Sequence, residues 1–315
     1  MQIDIPVIVL VGPTAIGKTA LSFQLADRFG CEIISMDSMQ VYRYMDIGTA
    51  KPSVEEQQAC PHHLLDIVDP DEQYNAARFV KDCLAAIKQI AARGRMPLIT
   101  GGTGLYLSSL LNGLFDTVQV SGEVRGELRR KFCAPDAPDP YDELRRVDPE
   151  SAARIHKNDR QRVMRGLEIF FSTGTPWSEH LKQQQLRGPL VRFSRLFAVY
   201  LTCPRDILYR RIGRRTDVML AQGLVEEVEK LRNMGYAPGL ASMQSIGYRH
   251  VNQFLDGKWD REEMKRLLIR DTRRYAKRQM TWFGRMDRLR PHDRRDQEKI
   301  ISDISYYFEK STIRM

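Results

Sequence analysis

Residues Gly12-Pro13-Thr14-Ala15-Ile16-Gly17-Lys18-Thr19 follow an apolar run, Val7 to Val11, and precede Leu21, Leu25 and Phe29, spaced every four residues. A G-x-x-x-x-G-K-[ST] sequence between a buried strand and an amphipathic helix permits few folds, because it predicts a phosphate-binding turn at the carboxyl edge of a parallel sheet. Its glycines let the backbone curl so that N–H groups and the helix N-terminus face a phosphate. Lys18 adds a point charge, and the Thr19 hydroxyl can ligate magnesium. The loop predicts di- or triphosphate binding without saying which compound carries it.

Glu32 to Met36 and Met96 to Thr100 read as further strands. Between them Asn75 can cap a helix whose apolar positions are Phe79, Val80, Cys83, Leu84, Ile87 and Ile90, with Gly94 at its end. From Asp116 to Gly188 strand signals vanish and prolines cluster at Pro135, Pro138 and Pro140, which predicts a helical insertion. Leu196 to Leu201 returns as a strand, with Pro204 at the start of the next helix. The expected architecture is α/β: a P-loop NTPase-like parallel sheet flanked by helices, with a helical insertion domain. Its expected division is residues 1–115 for the first part of the core, 116–193 for the insertion and 194–315 for the core continuation with basic C-terminal helices.

Among 315 residues, 49 Lys and Arg stand against 40 Asp and Glu, a net charge of +9. That field favours an anionic partner, whether RNA, DNA, a phosphorylated metabolite or an acidic lipid surface. The longest apolar stretches, Ile5 to Val11 and Leu196 to Leu201, fall far short of the roughly 20 residues a membrane helix needs. No secretory signal is visible, and Cys31, Cys60, Cys83, Cys133 and Cys203 contain no C-x-x-C pair, so a reducing cytoplasm is expected.

The run Ile33-Ile34-Ser35-Met36 ends in Asp37, and strand ends of an open parallel sheet share one edge with the phosphate loop. Asp37 is open to three readings: a magnesium holder, a general base acting on an acceptor beside the phosphates, or a cap of the following turn. Thr100-Gly101-Gly102-Thr103-Gly104-Leu105-Tyr106 forms a second glycine-rich turn at the same edge, with the Thr103 hydroxyl between glycines that allow close backbone approach. His62 and His63, adjacent in an extended segment, point to opposite faces and predict a structural role rather than a metal site.

With these motifs stand Asp37-Ser38-Met39-Gln40-Val41-Tyr42, Asp46-Ile47-Gly48-Thr49-Ala50-Lys51-Pro52, His62-His63-Leu64-Leu65-Asp66, Asn158-Asp159 with Arg162 and Arg165, and Arg211-Ile212 with Arg215 and Met219-Leu220. Gln244-Ser245-Ile246-Gly247-Tyr248-Arg249 and Lys277-Arg278-Gln279-Met280-Thr281-Trp282 complete the set. From Val7 to about Arg285 the sequence resembles the tRNA dimethylallyltransferase (tRNA isopentenyltransferase) family in its bacterial form. It departs at Ile16, where the family usually has Ser.

The resemblance implies that dimethylallyl diphosphate occupies the loop from Gly12 to Thr19, and that its dimethylallyl group passes to the exocyclic amine of the adenosine immediately 3′ of the anticodon in tRNAs reading codons that begin with U. It implies Asp37 as the base, and Lys18, magnesium at Thr19, Arg215 and Thr103 as the groups that neutralise or hydrogen-bond the leaving diphosphate. A monomeric enzyme is expected. The anticodon stem-loop is implied to meet Asp37, Ser38, Met39, Gln40, Thr103, Arg125, Gln161, Arg162, Val163, Met164, Arg165, Gln244, Ser245, Ile246, Gly247, Tyr248, Arg249, Lys277 and Arg278. Val163 and Met164 read equally well as core packing.

Between Lys265 and Arg295 twelve Lys or Arg face three Asp, and Arg266, Arg270, Arg273 and Lys277 fall on one face of a helix that Asp260 can cap. Arg125 begins another basic helix with Arg129 and Arg130. Two rival readings use the same residues. One is a P-loop kinase of a nucleoside or small metabolite, with Arg211 to Arg215 as a phosphate clamp; the other is an RNA-binding module with a nucleotide switch, which leaves Asp37 and Thr103 no chemical task.

Overall fold

Six strands form one parallel sheet: β1 (Gln2–Val11), β2 (Cys31–Met36), β3 (His62–His63), β4 (Met96–Gly101), β5 (Arg192–Thr202) and β6 (Arg290–Asp293), in the order β3-β2-β4-β1-β5-β6. This computed structural model describes all residues except 114–119, 135, 188, 190 and 313–315. The expected boundary at 115/116, Pro135 and Gly188 lie outside the described residues.

Val7 to Val11 are all fully buried, as a strand covered on both faces requires. Register then brings the motifs together. β4 lies between β2 and β1, with Met36 and Val11 both opposite Gly101. Asp37, the second glycine turn and the phosphate loop therefore leave the sheet side by side. The short edge strands β3 and β6 carry polar residues and have no apolar run to announce them.

Local signals set the helix ends. Gly17, at φ 109°, closes the phosphate loop and starts the Lys18–Phe29 helix, which ends at left-handed Gly30. Asn75 accepts from the amides of Ala77 and Arg78 to open Ala76–Ala92, and Asp260 accepts from the Glu263 amide at 2.8 Å to open Arg261–Phe283. In β3 the adjacent histidines diverge to different partners. His62 Nδ1 lies 2.6 Å from the Cys60 carbonyl and His63 Nε2 2.8 Å from Glu32, which Arg93 also binds.

The chain divides into two compact units, Met1–Ser108 with Arg192–Met315, and Ser109–Val191. The smaller unit is helical, with Leu128, Phe132, Leu144, Val163 and Leu167 in its core. Its buried Asp148 accepts from the Ser151 amide, the Ser178 amide and the Ser178 hydroxyl, joining the starts of two helices. Burial opposes ionisation there, and the hydrogen bonds outweigh it, holding this carboxyl below its usual pKa. Among the described residues no helix is long and apolar enough to cross a membrane.

Candidate active site

A cavity of about 770 Å³ opens at the carboxyl edge of the sheet in the larger unit. Thr14, Ala15, Gly17, Lys18 and Thr19 line one side; Asp37 to Gln40, Arg215, Gln244 to Arg249, Tyr275, Arg278 and Gln279 line the rest. Gly12, Pro13 and Ile16 form the loop's back. The Ile16 side chain is fully buried in the sheet core, so at this position the chain gains packing where a serine would offer a hydroxyl.

Lys18 donates to the carbonyls of Gly12 and Pro13, at 2.9 and 3.0 Å. Burial, then the Arg215 guanidinium, lower its pKa to about 8 against the pull of Asp37. Arg215 is itself lowered by burial and supported by Asp37, and it donates to the Thr49 carbonyl at 3.4 Å. Two cations and one carboxylate thus line one cavity, each half-buried. A diphosphate entering it meets positive charge already in place. Arg211, on the cavity wall, and Arg294 fasten the loop, donating to the carbonyls of Ala15 (2.6 Å) and Ile16 (2.9 Å). Ala15 sits at φ 65°, a strained conformation for a residue with a side chain.

Asp37 does cap the following turn: its Oδ1 accepts from the amides of Met39 (2.9 Å) and Gln40 (3.4 Å). It also lines the cavity, so the cap orients the carboxylate without excluding chemistry at Oδ2. Gln40 is engaged internally, accepting from Ser35 and donating to the carbonyls of Thr49 and Ala50. The Thr103 hydroxyl accepts from the Ser38 amide at 3.1 Å. Thr100 and Ser245, on the cavity wall, each bury a hydroxyl that has no hydrogen-bond partner among the described residues.

The close approach expected at the second glycine turn is made to a helix. A Cβ on Gly102 would stand 2.3 Å from Gln279 Nε2, and one on Gly104 would stand 2.3 Å from Trp282 Cδ1. Close packing against the Arg261–Phe283 helix demands these glycines. Tyr275 of the same helix lies beside Asp37, Thr103 and Gln279, and burial followed by the Asp37 charge raises its phenol pKa. Tyr275, Gln279 and Arg294 are not among the residues the sequence assigns to the site. The signals available are the i, i+4 spacing of Tyr275 and Gln279 on one helix face and the place of Gln279 within the Lys277 to Trp282 motif.

Tyr248 is buried whole, its hydroxyl spent on Glu227 at 2.6 Å, and Arg249 pairs with Asp271 at 2.6 Å. Lys277 is exposed on its helix and does not line the cavity. In the smaller unit Gln161 and Arg162 are exposed, with Arg162 3.1 Å from Asp159; Arg165 and Arg125 lie 3.3 and 3.8 Å from Glu168. Val163 is fully buried and Met164 packs against the same core, so for these two the packing reading holds and the Val163 side chain offers RNA no surface. In the basic stripe, Glu263 pairs with Arg266 at 2.6 Å and Asp271 with Arg270 at 2.9 Å, while Arg273 covers the Tyr209 ring.

Residues 40–286 match the family model described as IPP transferase. A tRNA dimethylallyltransferase of Desulfotalea psychrophila is 52% identical over 98% of this chain and 97% of that protein. One of Thermotoga maritima is 44% identical over 87% and 88%. The crystal structure of the full-length tRNA isopentenylpyrophosphate transferase of Bacillus halodurans superposes with a TM-score of 0.71 at 38% identity, covering 98% of each chain. A eukaryotic dimethylallyltransferase acting on tRNA superposes with a TM-score of 0.76 at 32% identity, over 93% of this chain and 75% of that one. With its phosphate loop facing a capped aspartate across one cavity, and with matches of this extent, the chain belongs to the tRNA dimethylallyltransferase (IPP transferase) family.

Proposed function

We propose that this enzyme transfers the dimethylallyl group of dimethylallyl diphosphate to the exocyclic amine of the adenosine immediately 3′ of the anticodon, in tRNAs reading codons that begin with U. The observation that carries the reading is the shared volume of Lys18, Arg215 and Asp37. An allylic diphosphate ionises readily once its oxygens are neutralised, and an adenine amine is a poor nucleophile that must lose a proton as it attacks. The new N–C bond forms at the allylic carbon, the carbon–oxygen bond breaks, diphosphate leaves toward Lys18 and Arg215, and Asp37 takes the proton. The family relatives give the kinase reading no support.

The Thr19 hydroxyl at the cavity wall is a hard oxygen donor suited to magnesium. With diphosphate oxygens it would hold the ion, which when bound would supply further neutralisation of the leaving group. Extrusion of the target base from its loop, at a cost of a few kcal/mol, brings the amine to the cavity. Ser38, Met39, Gln244 to Gly247, Arg249 and Arg278 at the rim, with Lys277 nearby in sequence, form the proposed anticodon-loop surface, and Arg125, Gln161, Arg162 and Arg165 contribute backbone contacts. The tRNA substrate supports a cytoplasmic enzyme.

The test is incubation with unmodified tRNA, labelled dimethylallyl diphosphate and magnesium, without ATP, followed by nucleoside analysis. Label on the adenosine 3′ of the anticodon is expected; ATP hydrolysis without transfer would reject the assignment.

A further inference from the structure

Gln279 is buried, 5% exposed, where the two glycine turns meet. Its Oε1 accepts from the Thr14 amide of the phosphate loop at 2.9 Å, and its Nε2 donates to the Gly102 carbonyl at 2.8 Å. An N–H on one side and a carbonyl on the other leave the side-chain amide a single orientation. These partners lie 265 and 177 residues away in sequence, and no hydrogen bond among the described residues joins Thr14 directly to Gly102. The glycine at 102 leaves room for the amide: a Cβ there would take the place of Nε2.

We propose that Gln279 is a positioning residue of the transfer reaction, tying the loop that holds the diphosphate to the turn that carries Thr103. The inference rests on the activity proposed above. Thr103 accepts from the Ser38 amide, directly after Asp37, so the bridge runs from the phosphate loop through Gln279 and the glycine turn to the segment of the base. Donor and acceptor groups sit on different strands' loops, and a rigid polar link between them fixes the distance across which the allylic carbon and the amine must meet. A misplacement of about 1 Å costs on the order of 100-fold in rate. Tyr275 and Trp282, packed at Thr103 and Gly104 from the same helix, keep the amide in register.

Gln279→Met preserves length and volume and removes both hydrogen bonds. Three quantities test it on the full chain: the single-turnover rate per active site at saturating substrates, the affinity for inorganic pyrophosphate, and the affinity for tRNA. The rate is expected to fall about 10- to 100-fold and pyrophosphate to bind up to about tenfold more weakly, with tRNA affinity unchanged. Gly102→Ala, which presses on the same amide from its other side, is expected to give the same pattern and serves alone if Gln279→Met does not fold. The double variant should be little worse than either single one. A Gln279 that merely packs would lower the melting temperature and leave rate per site and pyrophosphate affinity at wild-type values, which would overturn the proposal. Wild-type enzyme that transfers no dimethylallyl group would sink the activity assignment instead, while pyrophosphate affinity would still read the bridge.

Discussion

The Glu227 carboxylate accepts the Tyr248 hydroxyl at 2.6 Å and, with its two oxygens, the consecutive amides of Asp46, Ile47 and Gly48 at 2.7–3.1 Å. One side chain from the Leu224–Asn233 helix therefore shapes the loop whose Thr49 carbonyl receives Arg215. Burial, then the adjacent Glu227 charge, raise the Tyr248 phenol well above its ordinary range, so it remains a donor. Glu227→Ala strands these donors and should cost about 1–3 kcal/mol in urea denaturation, with Glu227→Gln recovering part of the loss. Equal stability of the Ala variant and the wild type would remove Glu227 as the holder of this loop.

Asp37 has two tasks that substitutions can separate. An asparagine side chain would retain an oxygen for the Met39 and Gln40 amides, so Asp37→Asn should keep the melting temperature and lower the single-turnover rate roughly 100- to 10,000-fold. Asp37→Ala should be as slow and also lose about 1 kcal/mol with the cap. Near-normal turnover in the Asn variant would take the base role from Asp37. If the residue held magnesium instead, added metal would restore part of the rate and donor binding would weaken first.

Lys18 gives donor binding a pH dependence. In the free enzyme its pKa is lowered to about 8, chiefly by burial, and a bound diphosphate raises it again by adding negative charge. The protonated form binds the donor, so affinity is constant below about pH 8 as far as this group is concerned and falls as pH rises above it. Calorimetric titration of pyrophosphate from about pH 7.5 to about pH 9.5 should show this decline. A slope as steep in Lys18→Met as in the wild type would assign it to another group.

The phosphate loop, Asp37 and the strands at Val7, Glu32, Met96 and Leu196 were legible because each is a local pattern: an apolar run followed by its turn residues. Caps at Asn75 and Asp260 were legible for the same reason. What joins these pieces was not. Gln279 reaches Thr14 across 265 residues; its place in the Lys277 to Trp282 motif and its i, i+4 spacing from Tyr275 mark the residue but not its partners. The glycines at 102 and 104 signalled a close approach, but sequence cannot say which body comes close; here it is a helix. Charge counts were legible but not their pairing: Arg266 and Arg270 are exposed basic side chains, and adjacent acids partner them.

His250 predicts how stability responds to acid. It is 1% exposed and faces Asp271, Arg249 and Arg270; burial, then Arg249, outweigh the stabilising Asp271 and lower its pKa to about 4. The unfolded chain binds a proton near pH 6.5 and the folded one does not until about 4, so this contribution is complete above 6.5 and is lost as pH falls toward 4. Asp271, lowered to about 2 because hydrogen bonds from Arg270, His250 and Arg249 overcome its burial, loses its contribution only below its ordinary range. Stability from denaturant melts should therefore decline between pH 6.5 and 4, by at most a few kcal/mol from His250. His250→Gln should flatten that segment of the curve; an unchanged decline would place the titrating group elsewhere.

Salt dependence separates the basic residues that can meet RNA from those already committed. Arg266 is held by both oxygens of Glu263 and Arg270 by Asp271, whereas Lys277 and Arg278 are exposed at the other end of the same helix, next to the cavity that Arg278 lines. Each phosphate neutralised releases counterions, so a residue that contacts phosphate contributes close to one unit to the slope of log K against log salt. Lys277→Ala with Arg278→Ala should flatten the slope for tRNA by about one to two units and weaken binding at low salt. Arg266→Ala should leave the slope nearly unchanged, because removing it also frees Glu263 and takes no phosphate contact away. The opposite ranking, a large change from Arg266 and none from the pair, would move the RNA path toward the start of the helix and away from the Asp37 cavity.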